Sequence, residues 1–265
     1  MNNITDSKTA SPAPDRDRKH HEALRVVSND IGCSGYARPS AFMRYLQDTA
    51  SMQHEMNPPT TAQLRAEMQR AFILSRISLS IKADLFEHDK IDCLAWIVPF
   101  RGMSIDRCYE ISRGGETVAL GAAVWAICDT ETRRFVRPEQ KHFGFGFSEP
   151  HDFPCRRIAI PRDINMEEVG EFRVAWSSAD MNRHLNNTVY ADMFCDYLPE
   201  GMLDDRRISE FTISFLREAP LGEILTISRV SDGGAPDETY YFTARLSDGN
   251  IAAEASFRLT APTDC

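Results

Sequence analysis

The sequence predicts an α+β protein made of two tandem units, each a long helix followed by an antiparallel sheet. Three observations carry this reading. Helical period appears at two places in the chain, and each is followed by four runs of strand period. The two halves align at an offset of 134 residues, which pairs Asp84 with Glu218. Between them, Arg137 to Asp163 carries four prolines, two glycines and no sustained period, as a connection does.

The first helix starts at Pro39, a residue suited to the first helical turn, and its face is formed by Phe42, Leu46, Thr49, Ala50 and Gln53. Pro58 and Pro59 end it, and TTAQLRAEMQR supplies a second, shorter helical pattern. The strand runs are FILSRISLSIKA, KIDCLAWIVPF, MSIDRCYEISR and ETVALGAAVWAICD, with turns at LFEHD and RGGE. In the second half, Tyr190, Met193, Phe194, Tyr197 and Leu198 form the apolar stripe of a helix expected over Asn187–Leu198 and ended by Pro199. Strand runs return at ISEFTISFLRE, GEILTISRV, ETYYFTARL and NIAAEASFRL; the closing strands GAAVWAI and IAAEASF align at nearly the same offset as the rest. The expected boundaries are a disordered leader over 1–21, a first unit over 22–140, a linker over 141–164 and a second unit over 165–262.

Composition excludes several classes. With 42% hydrophobic and 26% charged residues in 265, the chain has ordinary globular usage. The seven cysteines are scattered and never form a C-x-x-C pair, which argues against a disulfide scaffold or zinc ribbon and for a reducing, cytoplasmic setting. A net charge of −9 disfavours non-specific nucleic-acid binding. No stretch approaches the roughly 18 apolar residues of a membrane span. The N-terminal segment lacks the apolar core of a signal peptide, and its Asp6, Asp15 and Asp17 count against a transit peptide. No cofactor or metal is expected.

The densest polar signal is SSADMNRHLNN, residues 177–187, directly before the strongest helix. Capping explains part of it, since Asn186 or Asn187 can accept a backbone N–H and Asp180 suits the positive end of the helix dipole. Capping does not explain why Asp180, Asn182 and His184 alternate, a spacing that in an extended loop points all three to one side. His184 there can orient a water beside Asn182, and the N–H groups of the helix start can hold an oxyanion. The spacing has no unique metal or nucleophile signature, so the residues alone leave capping and catalysis both open.

Residues 180–187, DMNRHLNN, resemble the D-x-N-x-H-x-N-N motif of the acyl-acyl carrier protein thioesterases of plants and bacteria. Phe215-Leu216-Arg217-Glu218, whose glutamate lies 34 residues after His184, resembles the strand on which that family carries its catalytic glutamate. YLQDTA, LSRISLSI, WIVPFRGMSIDR and VWAICDTETRRFVRP match the family's first half, so the likeness spans about 22–262. It implies two tandem hotdog domains, each a long helix wrapped by an antiparallel sheet, the first helping to hold the acyl chain and the second carrying the chemistry. It implies hydrolysis of fatty acyl-acyl carrier protein to free fatty acid, with Asp180, Asn182, His184 and Glu218 catalytic. The implied partner is acyl carrier protein with its phosphopantetheine-linked chain. Plant members commonly have a cysteine after the glutamate; here Ala219 stands there, so an activated water is the simpler nucleophile. Burial on a strand would raise the pKa of Glu218 and favour it over Asp180 as the base. The first half has NDIGCSGYARPS in place of the motif and Asp84 in place of Glu218, so Asp84 is expected to be structural.

Other signals read more plainly. His20 and His21 fall in the expected leader, and Trp96, Trp125 and Trp176 lie in or beside apolar runs as core residues do. Cys195 is off the apolar stripe of its helix and is no nucleophile. Arg133, Arg134, Arg137, Arg156 and Arg157 form either solvated faces or a docking surface for the acidic carrier. An acyl-coenzyme A thioesterase, a silent acyl-binding hotdog protein and a hotdog dehydratase are the alternatives. Chain length, branching and oligomeric state, a homodimer included, are left open.

Overall fold

The computed structural model of the protein describes residues 18–100, 102–160, 165–234 and 237–261. The first half comprises β1 (His20–Arg25), α1 (Pro39–Met56), α2 (Thr61–Met68), β2 (Arg70–Ile81), β3 (Lys90–Ile97), β4 (Ser104–Arg113), β5 (Glu116–Asp129) and the short β6 (Phe135–Val136). The second comprises β7 (Glu167–Arg173), α3 (Val189–Asp196), α4 (Met202–Asp205), β8 (Arg207–Phe215), β9 (Ile224–Ser231), β10 (Glu238–Arg245) and β11 (Ile251–Thr260). All the strands pair antiparallel in one sheet, in the order β1-β3-β4-β5-β2-β8-β11-β10-β9-β7, with β6 on β5. Each half thus repeats one order, first-third-fourth-fifth-second, and the halves meet at β2 and β8.

That junction shows the repeat directly. Ser78 faces Thr212, their hydroxyls 2.7 Å apart, and the two residues are separated by 134 positions. A residue facing its own repeat partner marks a local two-fold axis, since i must contact j as j contacts i. The closing strands obey the same offset: Lys82 N–H donates to Val118 O, and Leu216 N–H donates to Ala252 O. The expected match of GAAVWAI to IAAEASF is therefore four residues out of register, drawn by the Ala-Ala pair in each string. The fold is α+β, two tandem hotdog units sharing one large apolar core, with a smaller apolar cluster of Ile97, Ile105, Ile127, Phe143 and Phe145 in the first.

Helix α1 buries Phe42, Leu46 and Ala50 against the sheet. It can approach this closely because Gly121 on β5 has no side chain; a Cβ there would lie 2.5 Å from Leu46 Cδ1. Thr60 and Gln63 start α2 with a reciprocal capping box. In the second half the helix is shorter than expected, Val189–Asp196. The two helices touch where Ser40 donates its N–H and hydroxyl to the Asp192 carboxylate, at 3.0 and 2.6 Å.

Most of the expected leader, residues 1–17, lies outside the described residues, but His20 and His21 do not belong to a leader. They open the edge strand β1, where His21 pairs with Leu94 of β3 and its ring meets Asp92 at 2.7 Å. The segment after β6 runs over the outer face of the sheet. There Glu149 O accepts from Trp96 Nε1, and Arg156 N–H donates to Ser78 Oγ. No helix among the described residues is long and apolar enough to cross a membrane.

Candidate active site

The polar cluster precedes α3, but its loop is not extended. Asp180 N–H donates to His184 O (2.8 Å) and Arg183 N–H to Asp180 O (3.0 Å), so the chain doubles back. Arg183 makes this reversal in the left-handed region, at φ 64°. Asp180, Asn182 and His184 are gathered by a turn rather than by strand alternation.

The carboxylate of Asp180 is spent on the turn itself. Its Oδ1 accepts the N–H groups of Asn182 (2.8 Å) and His184 (3.1 Å), and its Oδ2 receives Asn182 Nδ2 at 3.4 Å. Asn186 does not cap the helix, whose N-cap Thr188 makes no side-chain cap bond; its Oδ1 closes the turn before it by accepting both the N–H and the hydroxyl of Thr188 at 2.9 Å. The helix proper begins at Val189, after Thr188, two residues later than expected; Asn187 lies in the turn before it.

Glu218 is brought to this loop by backbone pairing. Leu185 N–H donates to Ala219 O and Leu221 N–H to Arg183 O, both at 2.8 Å, and His184 bridges to Pro220. Glu218 Oε2 then lies 3.7 Å from His184 Nε2. The strand expected to carry the glutamate ends at Phe215, and the Glu218 side chain is 47% exposed rather than partly buried. Burial therefore does not single it out as a base. Glu218 faces His184, whereas the Asp180 carboxylate is turned into its own loop.

Two side chains of the first half reach the cluster. One terminal nitrogen of Arg133 donates to both oxygens of Glu218, at 3.0 and 2.8 Å. Arg65 of α2 donates to Asn182 Oδ1 at 3.4 Å. Neither partner is near in sequence, and Arg65 had no signal beyond its place in a helical segment. A cavity of about 600 Å³ opens beside Asn182 and Met181 and runs between α1, α2 and the β2–β5 sheet. Leu64, Phe72, Ile97 and Ile105 supply much of its apolar lining.

The sequence model of the acyl-ACP thioesterase N-terminal domain matches residues 17–141, and that of the C-terminal domain matches 162–259. The chain belongs to the acyl-ACP thioesterase family. Relatives of this thioesterase family are distant. The chain is 23% identical over 155 residues to a chloroplastic dodecanoyl-[acyl-carrier-protein] hydrolase of Cinnamomum camphora, covering 56% of this chain and 41% of that protein. It is 22% identical over 251 residues to a chloroplastic acyl-[acyl-carrier-protein] hydrolase of Cuphea viscosissima, covering 86% and 58%. It spans about half the length of the curated relatives it matches. Its fold matches that of an acyl-ACP thioesterase from Bacteroides thetaiotaomicron with a TM-score of 0.81 at 16% identity, over 93% of this chain and all of that one.

The remaining expected residues divide. Arg156 lies over the β2–β8 junction with Glu210 at 3.6 Å, while Arg133 sits at the Glu218 corner; Arg134, Arg137 and Arg157 are exposed. Trp96 is buried as expected, Trp125 lines the cavity, and Trp176 is not a core residue: it stands exposed in the turn before the cluster. Cys195 is a poor nucleophile, because burial, with Asp192 and Asp196 beside it, pushes its thiol well above the ordinary range.

Proposed function

We propose that this chain hydrolyses the thioester of fatty acyl-acyl carrier protein and releases free fatty acid by direct attack of water. The observation that carries the reading is that the loop bearing Asn182 and His184 borders the mouth of the first half's cavity, with Glu218 facing His184. The acyl chain enters that cavity and leaves its thioester at the rim. Glu218 takes a proton from water as the oxygen adds to the thioester carbon, while His184 and Asn182 position the two reactants. The negative charge moves to the former carbonyl oxygen, where the Asn187 backbone N–H before α3 receives it. Collapse breaks the carbon–sulfur bond, and the proton returns to the departing phosphopantetheine thiolate. Asp180 acts by holding the turn.

Ala219 and the partly buried Cys195, whose thiol is pushed well above the ordinary range, both support a mechanism without an acyl-enzyme. Carrier docking falls to the exposed arginines: Arg133 at the Glu218 corner, Arg134 and Arg137 after it in the chain, then Arg156 and Arg157 along the linker. The test is turnover on matched ladders of acyl-carrier and acyl-coenzyme A substrates, with radiolabel followed by rapid quench. Free fatty acid should appear fastest from the carrier ladder, with no label on the protein. Protein-bound label during turnover would refute direct hydrolysis. Faster turnover of the coenzyme A ladder would reassign the substrate, and no release from either would end the reading.

A further inference from the structure

Arg65 reaches across to the second half without an ion pair of its own. Its guanidinium donates to Asn182 Oδ1 at 3.4 Å, and no carboxylate lies within ion-pair distance of it among the described residues. Its helix cannot supply one, because the residues three and four places away are Thr61, Ala62, Met68 and Gln69. The contact with Asn182 is therefore not the by-product of a charge pair along α2.

The helix that carries Arg65 is pinned at both ends. Thr60 and Gln63 exchange capping bonds at its start, and Thr61 Oγ1 donates to Glu55 of α1 at 3.0 Å. Leu64, beside Arg65 in the chain, is buried. At the far end Gln69 turns the chain in the left-handed region, φ 54°, and its carbonyl accepts Thr130 N–H at 2.9 Å just past β5. A side chain set on such a base is held in place well enough to orient another. Arg65 and Asn182 both line the cavity.

The amide of Asn182 has two unlike ends, and each meets its complement. Oδ1 faces the Arg65 donor, while Nδ2 gives one hydrogen to Asp180 Oδ2, also at 3.4 Å. Turning the amide over would set its oxygen against a carboxylate and its NH2 against a guanidinium, so both neighbours oppose the flip. Both bonds are long and the loop is exposed, so the orientation rests on the two together. In that orientation the other Nδ2 hydrogen is left for a reactant oxygen. The cation on Oδ1 polarises the amide and strengthens that hydrogen as a donor.

We infer that Arg65 is a positioning residue for the hydrolysis: from the half that holds the acyl chain, it fixes Asn182 in the orientation that offers an N–H to the reactants. This rests on the reading that Asn182 positions the reactants, so the test varies both residues. Turnover is measured on acyl-carrier protein and on carrier-free acyl-pantetheine of the same chain. Arg65→Met keeps a good helix former at an exposed position and removes the donor. Its kcat should fall about fivefold to tenfold on both substrates, with KM within about twofold of wild type. Arg65→Lys returns a cationic donor and should recover part of that loss. In an Asn182→Ala background, Arg65→Met should lower kcat by less than about twofold, since the group it orients is gone. A raised KM confined to the carrier substrate, with kcat unchanged, would make Arg65 a docking residue and overturn the inference. Losses that multiply in full in the double variant would overturn it as well, while leaving Asn182 in the reaction. Wild-type kcat in Asn182→Ala would remove Asn182 from the chemistry and the inference with it. No turnover of either thioester by the wild-type protein would end the reading of the whole site.

Discussion

The two halves build the same corner twice and fill it with different chemistry. Before α1, Gly32 N–H donates to Tyr36 O and Ala37 N–H to Leu85 O; before α3, Asp180 N–H donates to His184 O and Leu185 N–H to Ala219 O. Gly35 and Arg183 hold the matching left-handed position, at φ 84° and 64°. On this template Asp180 replaces Gly32, Asn182 replaces Ser34, His184 replaces Tyr36 and Glu218 replaces Asp84. Even the cross-half ion pair is duplicated: Arg133 of the first half holds Glu218, and Arg207 of the second holds Asp84 at 3.0 Å while its guanidinium lies 4.2 Å from the Tyr36 ring centre. The backbone is thus a shared scaffold, and the two corners differ in the four side chains set on it.

The halves also differ in what lies between corner and sheet. The loops correspond at an offset of 148, Ala37 with Leu185, and the strands at 134, so the first half carries 14 extra residues there. Those residues include α2, which lines the cavity. One half carries the polar cluster and the other most of the pocket.

The largest effect should come from breaking the difference at the acid. Glu218→Gln keeps shape but removes the base, and kcat should fall by roughly 10² to 10⁴ with little change in KM. His184→Ala should cost at least as much. The matched changes Asp84→Asn and Tyr36→Phe should leave kcat within about twofold, since neither residue touches the cluster. Near-normal turnover in Glu218→Gln would pass the base to Asp180; a large loss in Asp84→Asn would mean that the corners are not functionally distinct.

A second contrast lies between the two histidines. His184 is partly open to solvent, whereas His54 is sealed among Phe72, Phe143 and Phe145. Its pKa is pushed down to about 3 in the folded protein, against about 6.5 when unfolded. His54 is then neutral when folded, while the unfolded chain takes up a proton as pH falls below 6.5. Stability is unaffected above that value and is lost progressively between pH 6.5 and 3, on the order of 4 kcal/mol by pH 3.5. Denaturant titrations of wild type and His54→Phe should diverge over this window by that amount. Parallel curves would place the acid sensitivity in the carboxylates instead.

Much of this was legible in the sequence because period and repetition are local signals. All eight strand runs read from alternation are strands, and the offset of 134 is the true one. The edge strands β1 and β7, HHEALR and EEVGEFR, were not read, because half-exposed edges carry charge instead of apolar alternation. The exposure of Glu218 was hidden because Leu216 continues the apolar run past the end of β8. The reversal at Arg183 had no glycine to announce it. Contacts such as Arg133 with Glu218, 85 residues apart, leave no local trace, although the change of offset from 148 to 134 was a readable sign of the inserted pocket helix.

The smallest expected effect is also the sharpest on the scaffold. If the first corner is structural, its ion pair should stabilise the fold, and if the second is functional, its pair need not. Asp84 and Arg207 are each about three-quarters buried, and Arg207 adds its stack on Tyr36, so a double-mutant cycle with Asp84→Asn and Arg207→Met should give a coupling of about 1 kcal/mol. Arg133 and Glu218 are far more exposed, with side-chain exposures of 66% and 47%. Water and salt screen such a pair, and the long arginine loses rotamer freedom to hold it. Its stability coupling should be indistinguishable from zero, and Arg133→Met should instead change KM for carrier-bound substrate by a few fold. This outcome is what a releasable contact over a reacting carboxylate requires: a strongly coupled arginine would have to be pulled away from Glu218 at every turnover. Equal coupling in the two corners would show that the acid–arginine pair is part of the shared scaffold, and the division of labour between the halves would then rest on His184 and Asn182 alone.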